Sequence, residues 1–201
     1  GAPPKANLLG RSIIRSNSMS STGTSEIGKF IAHDTLRDAQ KEMVIDGINT
    51  LSKQGFLLAA APTGIGKTAA SLASSIEVAR NNQNQILFLT GRQSQHKIVI
   101  ETVRSINSNL DKEISEVKVV DLIGRESMCE DVDKMTGKCS CEDGIIESSR
   151  QSRRDDMKEY ILKNPNHVDD IIEKSKNKKI CAWATARSAV KDCDILVCDY
   201  N

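Results

Sequence analysis

Residues 61–68, with the sequence A-P-T-G-I-G-K-T, have the composition of a loop that binds phosphate. Gly64 and Gly66 allow the backbone to curl so that successive N–H groups face phosphate oxygens, and a helix that follows would direct its positive end at the same anion. The ammonium of Lys67 suits the β- and γ-phosphates, and the hydroxyl of Thr68 suits Mg²⁺. The sequence therefore predicts a site for ATP and Mg²⁺. The expected contacts in this loop are Thr63, Gly64, Ile65, Gly66, Lys67 and Thr68.

Four of the six cysteines fall within or at the end of one polar stretch of the chain. They are Cys129, Cys139, Cys141 and Cys181. Four thiolates can close a tetrahedral zinc site or hold one iron–sulfur cubane. Their spacing, C-x9-C-x-C-x39-C, matches neither the paired cysteines of zinc ribbons nor the compact ferredoxin run, so the residues alone leave Zn²⁺ and [4Fe–4S] open. The remaining pair, Cys193 and Cys198, is predicted to consist of small core thiols.

An acidic residue at the end of a neighbouring strand often completes a phosphate loop by holding Mg²⁺ through water. Asp199 follows four apolar residues and is one candidate for that role. Tyr200 stands where a helicase-type ATPase would have Glu, so the sequence favours Asp199 as an ordinary residue at a strand end.

These residues must be positioned by alternating strands and helices. Phe56–Ala60 is predicted to be a strand buried on both faces, and a helix is expected from about Lys67 to Arg80. Ile86–Leu89 is predicted to be a second buried strand, which completes a βαβ unit. The other predicted elements are a helix over Leu36–Leu51 with Asp34 or Thr35 as its N-cap, a helix near Ser94–Ile106, a strand over Val117–Leu122, a helix over Ala182–Val190 and a strand over Ile195–Cys198. This alternation predicts an α/β fold with a parallel sheet.

The stretch from 129 to 180 interrupts the pattern. It holds 12 acidic and 11 basic residues and few large apolar side chains. We therefore expect a small insertion that a metal, rather than an apolar core, holds together.

The whole chain has 201 residues, 38% hydrophobic and 27% charged, and a net charge of +1. Residues 1–25 carry three bases and no acid, are rich in Ser, Gly and Thr, and are expected to be a flexible arm, with 1–18 as a non-native leader. The nearly neutral remainder argues against binding nucleic acid by bulk charge. The longest apolar run, Gly55–Pro62, is too short to cross a bilayer, so we expect no membrane and a reducing compartment, in the cytoplasm or nucleus.

The order of several motifs resembles the iron–sulfur helicases of superfamily 2, the XPD/DinG family, over about residues 30–201. R-x-x-Q-x-x-M, beginning at Arg37 and including Gln40, resembles the adenine-side motif, and the phosphate loop resembles motif I. L-T-G-R-Q-S-Q resembles motif Ia, with matching residues Thr90, Arg92, Ser94 and Gln95. G-R-E-S-M-C, ending at Cys129, and the segment from Cys181 to the Tyr-Asn pair resemble the segments around the first and last cluster cysteines.

The resemblance implies a RecA-like motor domain of the P-loop NTPase class, in two parts. It assigns 26–128 to the first part of motor domain 1, 129–181 to an iron–sulfur domain, and 182–201 to the helix and strand that return to the motor. It further implies a [4Fe–4S] cluster on Cys129, Cys139, Cys141 and Cys181, with the C-x-C pair as a departure from the usual spacing. Arg37 and Gln40 would contact adenine.

The same resemblance implies single-stranded DNA as a partner, contacted by Thr90, Arg92, Ser94 and Gln95. It implies 5′ to 3′ translocation, an iron–sulfur domain that helps to part the strands, and repair or transcription-factor complexes as further partners. The family's D-E-A-H box, second motor domain and arginine finger do not occur in the sequence, so this chain alone is expected to bind nucleotide weakly and not to unwind DNA.

Two alternatives come from other functional classes. One is a metal-stabilised module that binds nucleic acid without motor activity, which predicts zinc and indifference to ATP. The other is a small P-loop phosphotransferase with Asp199 as its metal-side acid, which leaves the R-x-x-Q element without a role.

Overall fold

The computed structural model describes residues 28–200, and the predicted arm over 1–25 lies outside them. Its elements in chain order are α1 (Asp38–Leu51), α2 (Lys67–Asn81), β1 (Ile86–Thr90), α3 (Gln93–Asn109), β2 (Val119–Leu122), α4 (Arg125–Met128), α5 (Glu147–Lys163), α6 (Val168–Lys178), α7 (Ala182–Ala189) and β3 (Ile195–Asp199), with a 3-10 turn over Val190–Asp192 between the last two. Among these helices none is long and apolar enough to span a membrane.

The described strands form one parallel sheet in the order β1-β3-β2. Ile86 of β1 and Val119 of β2 both pair with Ile195 of β3, so the last strand of the chain is the central one. A parallel sheet with helical crossovers is the architecture expected of an α/β fold, and the predicted fold class is confirmed.

The predicted strand at Phe56–Ala60 is wrong. The segment has no regular secondary structure and pairs with none of the described strands, and Phe56 and Leu58 are 100% and 98% exposed. Its apolar composition suits a strand, but a strand also needs a neighbour that accepts its backbone hydrogen bonds. β1 is likewise not buried on both faces, because Leu87 and Leu89 are exposed. The observed crossover unit is β1-α3-β2.

The remaining predicted elements are present with small shifts at their ends. Helix α1 begins at Asp38, after Arg37, and neither Asp34 nor Thr35 caps it. The side chain of Gln40 instead accepts a hydrogen bond from the Arg37 backbone N–H at 3.0 Å. Gln40, at the third helical position, therefore satisfies the N–H of the residue before the helix, which is one half of a capping box.

The insertion packs into an apolar core that it shares with the sheet and α7, contrary to the expectation from its composition. Met157 and Ile161 of α5 and Ile171 of α6 are almost wholly buried. They pack with Val120 of β2 and Ala186 of α7, so this core is continuous with one face of the sheet. The composition was misleading because few large side chains suffice when they all lie on the inner faces of two helices.

Candidate nucleotide site and cysteine centre

The phosphate loop lies between the Phe56–Ala60 segment and α2. Gly64 and Gly66 have φ values of +84° and +80°, a left-handed conformation that glycine adopts without the cost that other residues meet. Gly66 also needs the absence of a side chain, since an added Cβ would lie 2.1 Å from Nε2 of Gln40. Helix α2 begins directly after it, at Lys67, so its amino end faces the loop as predicted.

The Lys67 ammonium is turned into the loop. Its Nζ donates to the carbonyl oxygens of Ala61 at 2.8 Å and Pro62 at 2.9 Å. The Arg37 guanidinium donates to the Gly64 carbonyl at 2.9 Å, which ties the start of α1 to the same loop. Two cations of the predicted site thus already donate hydrogen bonds to the loop's carbonyl oxygens, and an incoming phosphate would compete with those oxygens for Lys67.

Arg37 and Gln40 act on the loop from one side. Gln40 is buried against Gly66, and Arg37 reaches Gly64. Both side chains thus contact the predicted phosphate loop, and their contact with adenine stays a prediction. Thr68 is partly buried in the first turn of α2.

The segment after β1 brings the four residues predicted for DNA contact to the start of α3. Arg92 precedes the helix, and Ser94 and Gln95 lie in its first turn, with Arg92 and Ser94 exposed. Thr90 differs, because it is buried and its Oγ1 accepts a hydrogen bond from the Arg92 N–H at 3.3 Å. Thr90 therefore stabilises this turn from a buried position, whereas Arg92, Ser94 and Gln95 lie at the surface.

Asp199 is the last residue of β3, and its carboxylate already contacts a buried histidine. Its Oδ1 lies 3.1 Å from Nε2 of His96, a wholly buried side chain on α3. The other ring nitrogen of His96 lies 2.5 Å from Asp121 of β2. This buried group was not predicted, although an aspartate within the apolar strand V-V-D-L is the kind of residue that requires a buried partner.

All four predicted ligand cysteines converge in the structure. The sulfurs of Cys129, Cys139, Cys141 and Cys181 lie within 4.8 Å of one another, and no disulfide joins them. Individual separations are 3.1 Å for Cys129 to Cys139, 2.6 Å for Cys139 to Cys141 and 3.9 Å for Cys129 to Cys141.

A tight turn produces the first part of this convergence. Asp133 Oδ1 accepts the N–H groups of Met135 and Thr136, and Val132 then pairs with Cys139 in an isolated antiparallel bridge. The chain is thereby folded back so that Cys139 returns to Cys129.

Cys181 comes from the far end of the insertion. The carboxylate of Glu142 accepts its backbone N–H at 3.0 Å and also pairs with the guanidinium of Arg154 on α5. Glu142 is 8% exposed. On the other side, the guanidinium groups of Arg125 and Arg187 each lie 5.1 Å from the ring centroid of Trp183 on α7. The Arg125 contact joins α4, which precedes Cys129, to α7, which follows Cys181, whereas the Arg187 contact lies within α7.

The thiol environment suits a bound cation. Burial, together with a hydrogen bond to Cys139, raises the pKa of Cys129 to about 11, and burial also raises the pKa values of Cys141 and Cys181. Burial acts in the same direction on Cys139, but hydrogen bonds from Cys141 and Cys129 outweigh it and lower its pKa. Four thiol groups packed together cannot all ionise without a cation among them, and a metal supplies that charge.

The donor set fits either candidate group. A tetrahedral Zn²⁺ with Zn–S bonds of about 2.3 Å places its sulfurs roughly 3.8 Å apart. The Cys129–Cys141 separation of 3.9 Å matches this spacing, whereas Cys139 lies closer than that to both Cys129 and Cys141. A cubane holds four irons among the sulfurs and requires them to separate further. The four-cysteine group can therefore hold a metal, and its sulfur-only chemistry selects zinc or an iron–sulfur cluster over hard cations.

Comparisons with known proteins agree with this architecture. The family described as "Type III restriction enzyme, res subunit" matches residues 33–199. A solved structure named "XPD_Helicase" is similar, with a TM-score of 0.57 and 20% sequence identity, over 84% of this chain and 28% of that one. The likeness confirms the fold that the motifs led us to expect. This chain spans less than a third of that structure.

Proposed function

The chain belongs to the family described as the res subunit of type III restriction enzymes, and on this basis we propose that it forms the nucleotide-binding part of an ATP-dependent DNA helicase. In this proposal the four cysteines hold a [4Fe–4S] cluster, and the whole protein moves 5′ to 3′ on single-stranded DNA. The observation that carries the proposal is the convergence of four cysteine sulfurs within 4.8 Å in an insertion between β2 and β3. A phosphate loop and a four-sulfur centre in one α/β unit suit few other functions.

The phosphate loop would bind the nucleotide as follows. An arriving triphosphate attracts the Lys67 ammonium away from the carbonyls of Ala61 and Pro62, and the amino end of α2 adds its positive field. Thr68 supplies a hydroxyl ligand for Mg²⁺. Arg37 and Gln40, which contact Gly64 and Gly66, would couple the adenine side of the site to the loop.

Single-stranded DNA would meet the amino end of α3. Arg92, Ser94 and Gln95 offer guanidinium, hydroxyl and amide donors, which suit phosphate and sugar oxygens and fix position without reading bases. The nearly neutral charge of the chain outside its first 25 residues means that such binding depends on this local geometry rather than on bulk attraction.

Cys129, Cys139, Cys141 and Cys181 would hold the cluster. When bound, the cluster supplies metal–thiolate bonds that join distant parts of the insertion, together with a redox couple. The chain's own contribution is to bring the four sulfurs together and to partly shield them from solvent. The same proposal places the whole protein in the cytoplasm or nucleus. It also includes repair or transcription-factor complexes as its partners.

A second candidate is a zinc-stabilised nucleic-acid-binding module without motor activity. The observation that favours it is the sulfur spacing, since the four sulfurs would have to move apart less to hold one zinc ion than to hold a cubane. A small phosphotransferase with Asp199 as metal-side acid has less support, because Asp199 already pairs with the buried His96.

The test is anaerobic purification followed by iron, sulfide and zinc analysis, with ATP and single-stranded DNA binding measured on the same sample. The helicase proposal expects iron and sulfide, binding of ATP that requires Lys67, and binding of single-stranded DNA. Zinc without ATP binding would favour the second candidate. Helicase-like turnover by this chain alone would contradict the expectation that it binds nucleotide without unwinding.

A further inference from the structure

His96 and Asp121 form a buried ionic pair outside the phosphate loop and the cysteine centre. Both side chains are 0% exposed, and Nδ1 of His96 lies 2.5 Å from Oδ1 of Asp121. A buried pair of this kind stabilises a fold little more than apolar residues of the same size, because both charges must first be removed from water. Its presence on an otherwise apolar strand therefore calls for a role besides stability.

The imidazole of His96 contacts a second carboxylate. Its Nε2 lies 3.1 Å from Oδ1 of Asp199, the last residue of β3. Both ring nitrogens can donate only when the imidazole is protonated, so two carboxylate partners select the imidazolium form. The hydrogen bond with Asp121 raises the pKa of His96 and outweighs the opposite effect of burial.

Asp121 extends the connection into the insertion. Its other oxygen, Oδ2, accepts the backbone N–H of Val168, the first residue of α6, at 2.9 Å. Nε2 of His167 lies 3.9 Å from the same oxygen. A carboxylate at the amino end of a helix is favourable, so Asp121 fixes the start of α6 on the end of β2. Helix α6 then leads to Cys181.

Asp199 extends the connection in the other direction. The next residue, Tyr200, packs so closely on Gly91 that a Cβ at Gly91 would lie 2.7 Å from the tyrosine hydroxyl. Gly91 is followed by Arg92, where the surface proposed for DNA contact begins. The imidazole of His96 thus contacts both carboxylates. Asp121 fixes the start of α6, and Asp199 ends β3 beside the surface proposed for DNA contact.

We propose that His96 is a positioning residue whose imidazolium, held between Asp121 and Asp199, fixes the start of α6 and the Gly91–Gln95 segment in one mutual arrangement. The cysteine insertion and this segment then move as one body. The relevance of the segment to DNA depends on the proposed function, whereas the connection itself depends only on the contacts described.

The contact of His96 with both carboxylates depends on the proton that makes its imidazole an imidazolium. A neutral imidazole has one N–H, so loss of the proton leaves one carboxylate without its donor. The longer contact, to the partly exposed Asp199, is the one expected to open. The other titratable groups that face this cluster are His167 and, beyond it, Asp169, both at the start of α6. Cys198 of β3 also faces it, and burial and the two carboxylates raise the pKa of that thiol, so it stays protonated while His96 titrates. The connection therefore loosens as the pH rises.

The test is hydrogen exchange followed by mass spectrometry on the metal-loaded chain, with imidazole titration by NMR. The chain has three histidines, so the His96 signal is assigned by its loss in His96→Gln, and His33→Gln, at an exposed position, is the matched control variant. We expect His96→Gln to speed exchange about tenfold or more in both 91–95 and 167–171 while α2 is unchanged. The His33→Gln variant should exchange like the parent chain.

Two outcomes would overturn the proposal. One is faster exchange only within α3, or equally throughout the core, in His96→Gln, which would mean a purely local or a global structural role. The other is measured on the unsubstituted chain, so it does not depend on how the variant folds. The proposal fails if the NMR midpoint of His96 is not above the free value of about 6.5, or if neither segment loosens as the pH passes that midpoint. Absence of DNA binding would refute the proposed function and leave this result standing.

Discussion

The carboxylate of Glu142, the residue after one cysteine of the centre, accepts the backbone N–H of another, Cys181, at 3.0 Å. Its second partner is the guanidinium of Arg154, a bidentate contact that holds the carboxylate ionised. Burial acts to raise the pKa of Glu142, but the hydrogen bonds from Arg154 and from the Cys181 N–H, together with the positive charges of Arg154 and Arg150, outweigh it and lower the pKa. Thirty-nine residues of chain separate the two cysteines, and this one side chain joins them.

Glu142→Gln should therefore weaken retention of the metal. The glutamine side chain keeps the shape of Glu142 but loses the charge that Arg154 neutralises. Residues that hydrogen-bond to metal ligands, rather than to the metal, typically contribute about 10- to 100-fold to the affinity for the metal. The measurement is the rate of metal transfer to a coloured chelator. Glu147→Gln is the matched control, because Glu147 pairs with Arg150 of the same helix but is exposed. Equal transfer rates for Glu142→Gln and the parent chain would mean that Glu142 does not hold the centre.

Lys67→Ala should reduce ATP affinity by about 10- to 100-fold, the cost of a lost charge-assisted contact to phosphate. The fold should survive, because the ammonium touches only two carbonyls of its own loop. Calorimetric titration with ATP–Mg²⁺ measures the effect. Lys53→Ala removes an exposed lysine beyond the end of α1 and should leave affinity unchanged. An unaltered affinity in Lys67→Ala would mean that the phosphate loop does not bind the nucleotide.

Gly66→Ala should destabilise the chain more than Gly64→Ala. Both positions have positive φ, which costs another residue about 1–2 kcal/mol. Only Gly66 faces Gln40, whose displacement would also break its bond to the Arg37 N–H, a further loss of about 1 kcal/mol. Urea unfolding of the two variants and of the parent chain measures both losses of unfolding free energy.

The double variant Gly66→Ala/Gln40→Ala separates the two causes. Removal of the Gln40 side chain should relieve the contact, so the two changes together should cost less than their sum. Strict additivity would show that Gln40 does not restrict Gly66.

Ile161→Ala should destabilise the metal-free chain by about 2–5 kcal/mol, because Ile161 is buried in the core that the insertion shares with β2 and α7. Ile146→Ala, at an exposed position of the same insertion, should stay within about 0.5 kcal/mol. Denaturant unfolding of the chelator-treated protein provides the comparison. If both variants matched the parent chain, the insertion would depend on metal alone.

Stability should depend on pH through His96. Its pKa is raised in the folded state, so its contribution is complete below the unfolded value of about 6.5 and is lost as the pH rises through the folded value. The free energy of unfolding, measured across this range, should fall with rising pH in the parent chain and in His33→Gln. The fall should shrink in His96→Gln. An identical slope in all three proteins would contradict the ionic contact.

The sequence was most informative where one local pattern decides the structure. Helical spacing predicted α2 and α7 nearly to the residue, and the G-x-G-K-T pattern predicted the loop before α2. The convergence of four cysteines was also predicted, since a polar stretch with so many thiols favours a metal site.

Long-range partners account for what the sequence did not predict. Phe56–Ala60 has the composition of a strand, yet the described strands offer it no neighbour. The core around Ile161 depends on which faces of α5 and α6 turn inward toward β2 and α7. The contact of His96 with Asp121 joins residues 25 positions apart and has no local signature beyond a charge within an apolar strand.

Metal and labile sulfide analysis of the anaerobically purified chain tests the central claim most directly. We predict a brown protein with about four iron and four sulfide per chain, whose metal is lost when Cys181 is replaced by Ser. One zinc per chain in a colourless protein, or iron content unchanged by Cys181→Ser, would contradict the assignment of Cys129, Cys139, Cys141 and Cys181 as the ligands of an iron–sulfur cluster.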